Sequence, residues 1–156
     1  MKKELIAQYR ASLRMLINAI QQCPEELWDH AKADIPYWQL VYHSLHFTNL
    51  YISADEASFI PWQNHLEGIH QLGARENLEP YTKLDLKNYA EQIFDDVEFK
   101  VSQQDLKALS GFEWLPMNKF ELHLYNLRHL QHHIGQLVER LRLVGFKGIA
   151  WVANGH

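Results

Sequence analysis

Four stretches of this 156-residue chain repeat their apolar residues at helical spacing, and none alternates in the sustained way of a half-buried strand. Over residues 4–22 the repeat runs Leu5, Tyr9, Leu13, Leu16, Ile17 and Ile20. Pro24, Glu25 and Glu26 then look like the first turn of a short second segment. A second long helix is predicted from near Pro36 to about Ser53, with Asp34 as its cap. Trp38, Val41, Tyr42, Leu45, Asn49 and Ile52 share one of its sides, and His43, His46, Phe47 and Leu50 a neighbouring one.

Periodicity is lost over 54–81, where Pro61, Gly68, Gly73 and Pro80 collect. A connection this long is uncommon in a compact domain and suggests a crossover or a lid. Thr82 and Asp85 bracket a capping-box-like start for a third helix, on which Leu86, Tyr89, Ala90, Ile93, Val97 and Val101 repeat. Residues 104–110 could add a turn before Gly111. Asn118 with Glu121 makes another box-like start, and the last long helix is predicted from Lys119 to Val144, ended by Gly145. The expected fold is therefore all-α, one domain over 1–156, a four-helix bundle with a long connection between its second and third long helices.

Bulk properties narrow the function. Fifteen Lys and Arg against nineteen Asp and Glu leave a net charge of −4 with no basic run, which argues against a nucleic-acid partner. A single cysteine, Cys23, excludes an intrachain disulfide and a zinc finger. The charged, periodic start at Met1 to Leu5 lacks the apolar stretch of a signal peptide, and no apolar run is long enough for a bilayer, so a cytoplasmic protein without membrane association is expected. Histidine is the compositional oddity: ten residues, four of them between 123 and 133.

On the last helix Asn126, His129, His133 and Gln136 form one polar stripe beside the apolar stripe of Leu127, Leu130, Ile134, Leu137, Val138 and Leu141. His129 and His133 stand one turn apart, within reach of one ion at ~2.0–2.1 Å from each. The spacing is that of the zinc-protease helix, but Leu130 stands where that motif carries its catalytic glutamate, so the protease reading fails. Such a pair also arises by chance. His132 falls on the outer side with Arg128 and Gln131, and His123 is unremarkable. Metal sites in bundles draw ligands from facing helices, and either His43 or His46 could supply the third.

The segment from Trp38 through His43 and His46 to Tyr51 resembles the second helix of a branch of the DinB/YfiT-like superfamily. The segment from Glu121 through Tyr125, Asn126, His129, His132, His133 and Gln136 to Leu137 resembles its final helix more closely. The resemblance implies a four-helix bundle with a three-histidine site for one divalent ion, usually zinc or nickel. By position, His129 and His133 take the two places on the last helix, and the Trp-Gln-x-x-Tyr-His-x-Leu pattern gives the third to His43, with His46 as its rival. Asn126 and Gln136 match polar positions that could support the ligands.

Relatives in this superfamily include thiol-dependent transferases and isomerases, so the resemblance implies an enzyme acting on a small molecule with an external low-molecular-weight thiol. Cys23, at the end of the first helix, has no His or Lys pattern to activate it as a substitute. A metal-dependent hydrolase, or a non-catalytic metal-binding or interaction bundle, are the alternatives. The resemblance also implies a homodimer. Trp62, Trp114 and Trp151 could line a pocket at the open end of the bundle, although most large aromatics fill a core.

Overall fold

The structure is a computed structural model that describes residues 1–30, 34–73 and 79–155. Among these residues it contains five helices: α1 (Lys2–Gln22), α2 (Glu25–Trp28), α3 (Tyr37–Tyr51), α4 (Lys83–Gln103) and α5 (Lys119–Leu143). No strand forms among them; one isolated antiparallel bridge joins Leu109 and Asn118. The chain is all-α. No helix is long and apolar enough to cross a membrane among the described residues.

The four long helices close a ring of contacts in which α1 packs on α4 and α5, and α3 packs on α5 and α4. The predicted stripes supply the contact surfaces. All six apolar positions read on α4 are buried, and on α5 Leu130, Ile134, Leu137 and Leu141 are buried with Leu127 and Val138 packed at the margin. Helix α3 is apolar and buried around most of its circumference, which is why its sequence showed two adjacent packed sides rather than one stripe.

Capping follows the sequence in two places. Thr82 and Asp85 make a full capping box at α4, and the Asn118 side chain accepts the Glu121 N–H at α5. Gly145 ends α5 with φ 91°, the left-handed conformation that glycine takes without penalty. The start of α3 differs from expectation: Pro36, not Asp34, is its N-cap. A proline holds the residue before it extended, so Ile35 carries Asp34 out of reach of the first-turn N–H groups. Residues 104–110 add one turn, closed by Ala108 N–H to Asp105 O at 3.1 Å, and then pair with the residues that lead into α5, through Ser110 N–H to Met117 O at 2.9 Å and Lys119 N–H to Ala108 O at 2.9 Å. The connection between α3 and α4 carries no helix among the described residues; its residues 74–78 lie outside them, as do 31–33 and the end of the tail at 156.

One buried hydrogen-bond chain ties all four long helices together. Tyr9 Oη of α1 lies 3.0 Å from His123 Nδ1 of α5, and His123 Nε2 lies 3.0 Å from Gln104 Oε1 at the end of α4. Gln104 Nε2 in turn donates to Ile52 O, at the end of α3, at 2.7 Å. An amide oxygen can only accept, so His123 donates from Nε2 and accepts the tyrosine hydroxyl proton at Nδ1, as a neutral ring. His123 is fully buried, and burial, aided by the positive charge of Lys119, pulls its pKa down to about 4.

The neutral ring is therefore favoured by folding. The unfolded chain binds the extra proton from about pH 6.5 downward, whereas the folded chain resists it until about pH 4. The stabilisation is complete above pH 6.5 and is lost as pH falls toward 4. Urea unfolding of the metal-free chain at pH 7 and pH 4.5 should show His123→Gln losing roughly 2–3 kcal/mol less stability between the two pH values than the unsubstituted chain. Equal losses in both would remove His123 as the cause.

Candidate metal centre

His43, His129 and His133 come together where α3 faces α5. Helix α3 supplies His43, and α5 supplies the other two, one turn apart on the side that faces α3. Register is set by a crossing hydrogen bond, Asn126 Nδ2 to Thr48 O at 3.1 Å. His43 and His129 are partly exposed, and His133 is buried.

The three ring edges meet at one point. His43 Nε2 and His133 Nε2 each lie 3.1 Å from His129 Nε2. The opposite nitrogens fix the protons of two rings. His43 Nδ1 donates to the main-chain carbonyl of His70 at 2.7 Å, and His133 Nδ1 donates to Gln136 Oε1 at 2.8 Å. Both rings therefore present bare lone pairs at Nε2. The His129 Nε2 atom can offer a hydrogen to only one of them, and its Nδ1 is buried without a hydrogen-bond partner. A cation would satisfy all three lone pairs at once. In a tetrahedral ion with bonds of ~2.0–2.1 Å the ligand nitrogens stand about 3.3 Å apart, close to the spacing seen here.

Electrostatics agree with lone-pair donation. Burial, reinforced by neighbouring imidazoles, pulls His129 down to about 3, and burial pulls His43 down to about 4 despite its bond to the His70 carbonyl. His133 is lowered by burial as well. Neutral rings at ordinary pH are the form that binds a metal.

The rival ligand, His46, is turned elsewhere. It belongs to a second cluster with His65 and His70, and each of the two groups could hold a metal ion. Neither His65 nor His70 had a signal in the sequence, because both lie in the aperiodic connection. Of the other residues considered, His132 is exposed beside His133, and Gln136 supports His133 directly. The Asn126 side chain bonds the main chain of α3 at Thr48 rather than a ligand.

The three tryptophans do not share a pocket. Trp62 is buried, stacked on Tyr89 at 4.8 Å, while Trp114 and Trp151 are exposed. A cavity of about 430 Å³ lies near the end of α3, lined by Ser53, Phe99, Gln104 and Lys119, and no histidine of either cluster lines it. Cys23 is buried, and burial pushes its thiol up to about 12. No family model, curated protein or solved structure matches the chain.

Long-range proton–nitrogen correlation spectra of the metal-free chain at pH 5 should show neutral rings for His43, His46 and His129. A doubly protonated ring at any of these positions at that pH would contradict the desolvation on which the site's donor chemistry rests.

Proposed function

We propose that the chain is a DinB/YfiT-like four-helix bundle that binds a divalent ion, zinc or nickel, at His43, His129 and His133. We further propose that it transfers a low-molecular-weight thiol onto a small electrophile. The observation that carries the reading is the convergence of three Nε2 atoms, those of His43 and His133 each 3.1 Å from that of His129 and each on a ring whose proton is held on the far nitrogen. The closed ring of α1, α4, α3 and α5 supports the bundle, and the placement of one histidine on α3 and two on α5 agrees with the resemblance of the sequence.

Three neutral imidazoles leave a bound ion its full double charge and at least one open place, where it acts as a Lewis acid on a thiol, a water or a carbonyl oxygen. The chain's own residues prepare that site. The His70 carbonyl and the Gln136 amide hold two rings in the donating tautomer, and Asn126 fixes α5 against α3.

The nucleophile comes from outside. Cys23 is buried, its thiol is held protonated far above neutral pH, and its Sγ faces the Pro24 carbonyl at 3.5 Å. Leu130 fills the core where a zinc-protease helix carries its water-activating glutamate, which argues against a protease-type reaction. The reading includes a cytoplasmic homodimer. An apolar patch of Met1, Phe120, Leu124 and Leu127, beside the start of α1 and on α5, supports such a contact.

Elemental mass spectrometry on protein purified without a polyhistidine tag provides the test. His129→Ala and His43→Ala should each carry one equivalent of metal fewer than the unsubstituted chain, and Gln136→Ala should weaken the affinity of that ion by roughly 10–100-fold. In cobalt-loaded protein, a small thiol such as glutathione should produce a new near-ultraviolet band that His129→Ala lacks. An unchanged spectrum at saturating thiol, with the ion retained, would sink the transferase and leave a hydrolase or a non-catalytic binder. Equal metal content in all variants would sink the site.

A further inference from the structure

A second histidine cluster lies beside the first, and most of it is built from the connection. His46 comes from α3, one turn after His43, while His65 and His70 come from the segment that follows; their ligand atoms lie within 4.8 Å of one another. His46 is 5% exposed and its Nδ1 has no hydrogen-bond partner, and the buried Nδ1 of His70 has none either. His65 is held from behind, with Nδ1 2.6 Å from the Tyr42 hydroxyl. When that nitrogen carries the proton, the hydroxyl oxygen accepts it and the far edge of the ring is left bare, the arrangement by which metal-ligating imidazoles are oriented.

Packing alone accounts poorly for these residues. The His70 ring stacks on His46 at 4.4 Å and 13°, and His65 stacks on the same ring at 5.1 Å and 28°. Phenyl rings would stack as well, without the cost of about 1–3 kcal/mol for each buried nitrogen left unsatisfied. Here two such nitrogens occur in one cluster.

We propose that His46, His65 and His70 form a second divalent-cation site, distinct from that of His43, His129 and His133. The donors are imidazoles alone, which suit zinc, nickel, cobalt or copper(II) and not magnesium or calcium. A four-coordinate ion holds its nitrogens about 3.3 Å apart, so uptake draws these rings together and turns them out of their stack. The connection can make that adjustment more readily than a helix, since His65 and His70 sit on turns, with Gly68 at φ 77° between them. Phe47 packs against His43 and His129 at 4.8 and 5.5 Å and against His46 and His70 at 5.3 and 5.9 Å, which keeps the two ligand sets apart.

The inference does not depend on the function proposed for the first cluster and fails separately from it. The metal-free 156-residue chain, without a tag, is dialysed to equilibrium against buffered zinc and its metal content is measured. Two equivalents are expected for the unsubstituted chain, one each for His65→Ala, His70→Ala and His129→Ala, and none for His70→Ala combined with His129→Ala. His70→Ala retains the carbonyl that orients His43, so its loss of metal reports the side chain. His46→Ala would open a hole in a buried face, and the two connection variants therefore carry the test, with circular dichroism confirming their helix content.

A single equivalent that persists in both connection variants and disappears in His129→Ala overturns the second site and leaves the first. A single equivalent that survives His129→Ala but not the connection variants overturns the first and leaves the second. No zinc in any sample overturns both.

Discussion

The chain of hydrogen bonds from Tyr9 through His123 and Gln104 to Ile52 does what apolar packing cannot. Hydrophobic burial is non-directional, so a ring of four helices held by apolar stripes alone tolerates small rotations and slips at little cost. Directional bonds in a low-dielectric interior do not, because a displaced donor or acceptor is left unsatisfied. This chain draws one group from each long helix or its terminal residue. Lys119 Nζ, donating to Ser53 O at 3.2 Å, reinforces the same end. Together with the bond from Asn126 to Thr48, these contacts fix how α5 is rotated against α3. The positions of His129 and His133 relative to His43 follow from that rotation.

The centre of the molecule therefore carries two kinds of histidine. His123 has both ring nitrogens partnered within the protein and acts as structure. His46, His70 and His129 each keep a buried nitrogen without a partner, and His43, His129 and His133 aim lone pairs at one another. A fold selected for stability alone would not gather lone pairs in this way. Local violations of polar satisfaction concentrate where function requires them, and the rest of the structure compensates. Here burial, reinforced by the neighbouring imidazoles, holds the rings neutral and so able to donate.

Much of the helical framework was legible because its causes are local. The six buried residues of α4, the Thr82–Asp85 box and the glycine after α5 are written within a few residues of where they act. The pair His129 and His133 was equally plain, being set by helix geometry. Spacing could not choose between His43 and His46, since both lie near the edge of the same helix, and the structure divides them between two clusters. Other features depend on distant partners. His123 looked unremarkable because Tyr9 is 114 residues away in sequence. His65 and His70 carried no pattern, because a connection without periodicity gives no indication of which way its side chains turn. For the same reason the sequence could not divide Trp62, Trp114 and Trp151 between core and surface: Trp62 is buried by contacts with Tyr42, Tyr81 and Tyr89 that no local pattern encodes.

The long connection is what joins the two clusters. The carbonyl of His70 accepts from His43 Nδ1, while the side chain of the same residue belongs with His46 and His65. One residue thus sets the tautomer of a ligand in the first cluster and contributes a ligand to the second. An ion held by His46, His65 and His70 would restrain the main chain at position 70, and with it the orientation of His43. The reverse follows by linkage, since any gain in affinity that one ion gives the other must be returned in equal measure. Coupling of this kind needs no movement of the helices, whose relative rotation is already fixed at the Tyr9–His123–Gln104 end. It needs only that the main chain around position 70 be better ordered with an ion than without one.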